Sequence, residues 1–448
     1  MRFLKRIRKR IRSNKQRLDD HEKRIRELEM APTTLANGMT ITTNGGSGSG
    51  SGNVLDGTGR DTYGEASFTM PNYEPLQGGT EYSSWAALHA AITGMGDLGG
   101  QIFKFTGSDI SSSSYVFTGA SNFHIDGMQS SLLDGTATAG ETGGGSQRNT
   151  GAFFKCLMED CHGFTIRGLT IRGMQNSGIE LGQGNSTAAG RAGCTNALIE
   201  HNIASGIGAV AYRATNLSDN CRFYYNEAFD IGAHDTSGNW HNGRGEGFYM
   251  GFGNNSSHYA TNMEIVGNYV HDNFGEAVDM KRHSSGLLIE HNLFRNANVG
   301  SQGAVVISLN ETNANSDTII RNNIIDGVTT RHSSVTNNAC GIVVAAGDVE
   351  IDGNIIMNTD GHSVDVYANS VTSNDSLNII RNILYNQGAA LPVRENVGTS
   401  SGSTASNPLS ITRSNNIVGS GPSANESLIS AEPLLSGPFN VPSDFAIN

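Results

Sequence analysis

Short apolar runs, many of them β-branched, recur through the middle of the chain, each broken by an asparagine three positions after an apolar residue. The unit reads IEHNI at Ile199, IVGNYV at Ile265, IEHNLF at Ile289, IIRNNII at Ile319, IDGNII at Ile351 and IIRNIL at Ile379, with a weaker FYYNEAF at Phe223. Runs of this length bounded by turn-forming residues predict buried strands. The marker residues Asn202, Asn226, Asn268, Asn292, Asn322, Asn354 and Asn382 are 24, 42, 24, 30, 32 and 28 positions apart. A fixed unit at variable spacing predicts a solenoid with loop insertions on one side. Upstream, FHIDGMQSSLLDG at Phe123 and FTIRGLTIRG at Phe164 carry glycine in the asparagine place.

Each unit is followed by a second apolar run: SGIELG at Ser177, GAVAYR at Gly208, GEGFYMG at Gly245, GEAVDMKR at Gly275, QGAVVISL at Gln302, CGIVVAA at Cys340, HSVDVY at His362 and ALPVR at Ala390. Two strands and a turn per coil are therefore expected. The asparagine column has a structural task, since a side-chain amide can bond to the coil above and satisfy polar groups that a bend leaves buried. Roughly nine coils spaced by about 4.8 Å predict a rod on the order of 45 Å long.

The flanks follow other periods. Leu4, Ile7, Ile11, Asn14, Leu18, His21, Ile25 and Leu28 alternate by three and four, a heptad seam with polar d layers at Asn14 and His21. A seam this narrow predicts self-association, and the polar layers resemble those of trimeric fibrous surface proteins, which implies a homotrimer. Residues 45–53, rich in Gly and Ser, read as a flexible tether. SSWAALHAAITGM at Ser83 has a serine cap and helical spacing, and it leads into the strand-like QIFKF at Gln101. A short helix before the first strand resembles the N-terminal cap of pectate-lyase-like β-helices. The fold class expected is all-β: a right-handed parallel β-helix with an N-terminal capping helix, preceded by an α-helical coiled-coil stem. The divisions are 1–30 basic stem, 31–62 linker, 63–100 cap region, 101–395 β-helix and 396–448 closing segment, where Glu432-Pro433 stands in the place of a DP-like turn.

Composition adds three constraints. With 57 glycines, 9 prolines and 16% charged residues among 448, the chain suits many short strands joined by turns, and 37% apolar residues suffice for a continuous core. Residues 1–30 hold 12 Lys and Arg against 5 Asp and Glu, leaving 18 against 37 elsewhere. The acidic body argues against nucleic-acid binding by the main domain, whereas the basic tip, which opposes the helix dipole, suits an acidic docking partner. Cys156, Cys161, Cys194, Cys221 and Cys340 follow no zinc or redox spacing and read as small buried hydrophobes. The start lacks an apolar signal stretch and no segment is suited to span a membrane. Assembly into a particle, with display on a virion surface, is the expected location; the others are the cytoplasm and export by a non-classical route.

Ionisable residues concentrate in the second runs. Aligning GEGFYMG with GEAVDMKR stacks Glu246 over Glu276, Tyr249 over Asp279 and Gly251 over Lys281, and strand alternation puts Asp279 and Lys281 on one face. Glu180, Arg213, Asp365, Tyr367 and Arg394 fall in nearly the same columns. GRGEGFYMG followed by GEAVDMKR resembles stretches of secreted β-helix proteins related to polysaccharide lyases, over about residues 160–385.

That resemblance implies a Lys or Arg that takes the proton beside a uronate carboxylate, and a second cation or calcium that neutralises the carboxylate. Lys281 is the first choice for the base; Arg282, Arg213 or Arg394 would neutralise the substrate, and Asp279 would support a cation or hold calcium. Hydrolysis by two carboxylates from Glu246, Glu276, Asp279 and Asp365 is the other chemistry, and so is a face of solvated ion pairs with no catalysis. Trp240, beside His234, Asp235 and His241, suits a sugar ring, as does Tyr249. His234, His241 and His271 match no metal-ligand spacing. Stem, tether and solenoid together resemble a viral tailspike that attaches to a host and binds a surface polysaccharide, with or without cleaving it. A free polysaccharide lyase and a non-catalytic adhesin are the rivals.

Overall fold

The computed structural model describes residues 40–43, 66–69, 73–136, 151–182, 193–232, 245–251, 259–281, 284–299, 303–307, 317–330, 339–345, 347–368, 376–385, 392–397, 410–418, 427–428 and 438–439. The heptad stem, the 45–53 tether and Glu432-Pro433 lie outside them. Residues 73–434 belong to one unit and residues 1–72 with 435–446 to a second.

The larger unit is a parallel β-helix with three strands per coil. One coil runs Leu198–Glu200, Ile203–Ile207, Val210–Ala214. The expectation of two strands per coil is corrected here: the unit around each asparagine is itself two strands, hinged at the asparagine. Leu198–Glu200 pairs in parallel with Arg222–Tyr224 in the next coil, and Ile203–Ile207 with Glu227–Ile231. These first and second ladders continue in register to Ser410–Ser414 and Ile417–Val418, past the expected end of the solenoid at 395. The third ladder is a ten-stranded parallel sheet from Val116–Thr118 to Val393–Val397.

The hinge has a local cause. The residue before each ladder asparagine has φ near +55 to +67°: His201, Tyr225, Gly267, His291, Asn322, Gly353, Arg381 and Asn415. This left-handed step turns the chain and buries the next side chain. The column is Asn202, Asn226, Asn268, Asn292, Asn323, Asn354, Asn382 and Asn416, each no more than 2% exposed. Asn322 was therefore misplaced by one residue, because the Asn-Asn pair offered two choices and the first occupies the left-handed step. From Asn226 onward each asparagine presents its Oδ1 to both the backbone N–H and the Nδ2 of the asparagine one coil earlier, and the Oδ1 of Asn202 accepts from the Leu169 N–H at 3.0 Å. Asn268 thus bonds to Asn292 at 2.8 and 3.0 Å, and its Nδ2 also reaches the Phe223 carbonyl at 2.9 Å. The column thus gives buried backbone N–H and carbonyl groups at the bend their partners.

Inward positions form one apolar core along the rod, with stacked rings from neighbouring coils such as Phe123 and Phe164, whose centroids are 5.3 Å apart. The five cysteines are all buried and free, in keeping with their reading as hydrophobes.

Helix α1, Trp85–Ile92, sits at the N-terminal end, with the Ser84 hydroxyl accepting from the Ala87 N–H at 3.4 Å. It buries Trp85, Leu88 and Ile92, each worth roughly 1.5–3 kcal/mol. The Trp85 indole donates to the Lys155 carbonyl at 3.0 Å. The Lys155 side chain is itself fully buried, held by Asp109 at 2.6 Å and Ser111 at 2.9 Å.

In the smaller unit, Thr40–Thr43 pairs antiparallel with Ala66–Thr69 and with Pro438–Phe439. The first of these strands falls within the expected linker, where the run Thr40-Ile41-Thr42-Thr43 is β-branched throughout and suits a strand. No described helix is long and apolar enough to cross a membrane.

Candidate active site

The outer face of the third ladder carries one continuous column: Val116, Leu157, Glu180, Arg213, Tyr249, Asp279, Val306, Val343, Asp365 and Arg394. Tyr249 pairs directly with Asp279, while Phe248, Met250, Val278 and Met280 on either side of them point into the core. Three residues earlier in each strand, Val210 pairs with Glu246, and the Gly247 N–H donates to the Glu276 carbonyl at 2.9 Å. Two consecutive inward residues, the small Gly247 or Ala277 followed by Phe248 or Val278, open these strands, so a three-residue step returns to the outer face. A Cβ on Gly247 would stand 2.8 Å from the Ala277 carbonyl and from Val270.

This corner brings Glu246, Glu276 and Asp279 together, with one carboxylate oxygen of each within 4.8 Å of the others. Asp279 forms an ion pair with Lys281 through one oxygen, and its Oδ1 accepts no hydrogen bond among the described residues. Glu246 accepts from the Gly245 N–H at 3.0 Å. Exposure falls inward from the Lys281 side chain, 27% exposed, through Glu276 at 9% to Asp279 at 2% and Glu246 at 1%. A molecule arriving from solvent meets Lys281 and Glu276 first.

Packing three carboxylates beside one ammonium sets their protons. Burial, then the charges of Asp279 and Glu246, push the Glu276 carboxyl up to about 8. Burial and Asp279 raise Glu246 in the same way, and burial raises Asp279 against the opposing pull of Lys281. Burial alone would lower Lys281, yet the negative groups around it, Asp279 foremost, hold it above the ordinary lysine value. The cluster therefore favours a charged Lys281 beside Asp279 and draws protons onto its carboxylates, Glu276 among them.

Tyr249 lies between two cations, with Lys281 5.1 Å and Arg213 5.4 Å from its ring centroid. Burial pushes its hydroxyl up to about 12. Arg213 is in turn bonded to Glu180 at 3.2 Å, both side chains no more than 3% exposed. That pairing, which strand alternation alone did not reveal, commits Arg213 to the wall of the site. Arg394 and Asp365 form their own pair at 2.7 Å, separated from Asp279 by the Val306 and Val343 strands, roughly 14 Å at the ordinary strand spacing. They share the column but are not brought to the cluster. Tyr367 is two residues beyond Asp365 on the same strand, in register with Asn396. Trp240, His241, His234, Asp235 and Arg282 lie outside the described residues. His271 belongs to the second ladder, where it is bonded to Asp272 at 2.7 Å and Glu227 at 3.1 Å.

Fold and site together define a parallel β-helix protein with a buried carboxylate and lysine cluster on the outer face of one sheet. No protein-family model matches the chain, and no curated relative does. Several solved structures are similar to it. An alginate lyase from Paenibacillus sp. str. FPU-7 is 15% identical over 71% of this chain and 98% of its own, with a TM-score of 0.41. The A-module of the mannuronan C-5 epimerase AlgE6 from Azotobacter vinelandii is 15% identical over 76% and 81%, with a TM-score of 0.43. The endo-xylogalacturonan hydrolase from Aspergillus tubingensis is 11% identical over 80% and 92%, with a TM-score of 0.41. The fold assignment stands on the strand register of this chain itself.

Proposed function

We propose that this protein binds a polysaccharide along the outer face of the third ladder and cleaves it by acid-base chemistry at Glu246, Glu276, Asp279 and Lys281. The observation that carries this reading is the convergence of the Glu246, Glu276 and Asp279 carboxylates in one buried cluster, with Asp279 paired to Lys281. Neighbouring carboxyl groups whose environments separate their protonation are how one site supplies an acid and a base at neutral pH.

In hydrolysis, Glu276 would give its proton to the departing glycosidic oxygen as the bond from the anomeric carbon breaks. Asp279 or Glu246, too close to Glu276 to leave room for a water between them, would bond to that carbon, and water would then displace the carboxylate and lose its proton to Glu276. Lys281, the most open of the four, would orient the substrate by bonding to a hydroxyl or carboxylate. Its ion pair with Asp279 favours this role over that of the proton-abstracting base in a lyase, which needs a neutral amine. The same three carboxylates, with the Asp279 oxygen lacking a donor, are a fitting set of hard oxygen ligands for calcium, which would supply charge to neutralise a uronate.

The biological setting we propose is a tailspike-like virion protein, in which the heptad seam of residues 1–30 gathers chains into a homotrimer and the basic tip docks on an acidic partner. Sedimentation of the full chain against residues 31–448 tests the oligomer; a full-length monomer ends that part of the proposal. Catalysis is tested by incubating the full chain with alginate, pectate, chondroitin and host capsule while following reducing ends and unsaturated-product absorbance. Reducing ends without new absorbance, lost in Glu276→Gln, are expected. New absorbance would make it a lyase, and release of neither from any glycan would overturn the enzyme.

A further inference from the structure

The outer face of the second ladder carries a column of its own: Asp134, Arg172, Ser205, Phe229, His271, Arg295, Asp326 and Met357 in successive coils. Flat side chains stack here at the strand repeat. The Phe229 and His271 rings are 5.1 Å apart and 15° from parallel. Arg172, 54% exposed, lies against Asp134 at 2.8 Å. Between Arg172 and Phe229 the column holds only Ser205, and the turn beside it holds Gly173 and Gly206, whose positive φ of 61 and 60° carries the chain around the corner without a side chain.

Arg172 and Phe229 thus stand two strand repeats apart, about 9.6 Å, with no ring between them. The result is an open groove of about 280 Å³ lined by Asp134, Arg172, Ser205, Phe229 and Asp230 with the two glycines. One face of Phe229 is covered by His271; the other looks across Ser205 towards Arg172.

From this gap we infer a second carbohydrate site, which takes a single neutral pyranose ring between Phe229 and Arg172. The chemistry of the walls selects that class. Phe229 offers an apolar face to the C–H face of a sugar, and Asp134, Asp230, Ser205 and Arg172 offer acceptors and donors at its edge for ring hydroxyls. Two carboxylates against one guanidinium leave the groove without excess positive charge, which disfavours a uronate. The slot stands on a different ladder from the carboxylate cluster and does not rest on the reading proposed for it. It would hold a glycan chain without cleaving it, adding avidity to a weakly bound polymer.

The test uses the full-length protein and the methyl pyranosides of glucose, mannose and galactose, titrated by saturation-transfer NMR. At least one should bind in the millimolar range, weakened about tenfold by Phe229→Ala, the loss expected for removal of one ring contact. Ser205→Phe would complete the stack with a ring of the protein's own and should abolish binding while raising Tm. Arg172→Gln keeps the fold readable should the larger substitution prevent folding, and it should also weaken binding. Glu276→Gln should leave pyranoside binding unchanged, which separates this slot from the cluster. No pyranoside binding by the wild type, or binding unaffected by Phe229→Ala and Arg172→Gln, would overturn the proposal.

Discussion

Asp279, in the short strand Val278–Met280, and Lys281, the residue just after it, form an ion pair on its outer face, while Met280 between them is buried in the core. Strand alternation fixes this geometry, and burial makes it consequential. Asp279 is 2% exposed, so removing its partner strands a carboxylate away from water. Lys281→Met should therefore destabilise the fold by about 3 kcal/mol, near the lower end of the range for breaking a buried pair because the ammonium is partly open. The double change Asp279→Asn with Lys281→Met should restore at least about 1 kcal/mol of that loss. Urea denaturation of the four proteins of the cycle measures it; additive losses would show that the two groups do not act as a pair.

Glu276 gives the cluster a pH signature. Its folded pKa, about 8, lies above the ordinary glutamate value, so the folded chain holds that proton more tightly than the unfolded chain. The resulting stabilisation is complete below the unfolded pKa of about 4.3 and is lost as pH rises through the folded value, levelling off above it. Urea midpoints between pH 5 and 9 should fall more steeply for wild type than for Glu276→Gln. Depolymerising activity that depends on the same proton should decline above about pH 8.

The solenoid was legible in the sequence because its bend has a chemical signature that spacing cannot hide. Ile199, Ile265, Ile289 and Ile351 all precede a ladder asparagine by three positions, and the residue between the strand and that asparagine is free to vary so long as it tolerates positive φ. The same freedom produced the one-residue error at Asn322, where both neighbours satisfy the pattern. The site was legible as far as one strand dictates it: Tyr249 over Asp279, with Lys281 on the same face, follows from alternation and coil repeat. Distances along the column did not follow. Asp365 and Arg394 align with Asp279 in sequence, but two valine strands stand between them. The partnership of Arg213 with Glu180 is a contact between coils 33 residues apart that only the register reveals. Nor did the strand pattern disclose the gap at Ser205, since a gap is a property of the neighbours on either side.

The asparagine column should be the least tolerant part of the rod. Asn268 accepts from the N–H and Nδ2 of Asn226 at 2.8 and 3.1 Å and donates to Asn292 and the Phe223 carbonyl. Asn268→Ala would remove the acceptor of the Asn226 backbone N–H and the side-chain donor to the Phe223 carbonyl, while the Asn226 Nδ2 keeps its bond to the Ile199 carbonyl. At about 1–3 kcal/mol for each of these two groups, a loss of at least about 2 kcal/mol is expected. Asn268→Asp keeps the acceptor oxygen but turns a buried negative oxygen towards the Phe223 carbonyl and Asn292 Oδ1, so at neutral pH it should lose more than Asn268→Ala. Thermal melts of Asn268→Ala against Asn296→Ala, an exposed asparagine on the second ladder, should show the contrast; equal Tm values would mean that the column carries no special share of stability.

A last prediction concerns the ring that backs the proposed sugar slot. Burial works to lower the His271 pKa, but Asp272 and Glu227, bonded to its two ring nitrogens, more than offset this and raise it above the ordinary histidine value. Because the folded pKa is the higher one, the charged ring stabilises the fold fully below the unfolded value of about 6.5, and that contribution disappears as pH rises through the folded value. Wild type should therefore lose stability on going from pH 6 to pH 8 by more than His271→Gln does, once the Glu276 contribution is removed by making both comparisons in Glu276→Gln. If the charged histidine also fixes the Phe229 ring stacked on it, pyranoside binding in the wild type should weaken over the same pH window. Parallel titrations of stability and binding decide the matter: a stability slope with unchanged binding would confine His271 to holding the ladder, whereas both slopes moving together would make it the rigid back wall of the slot.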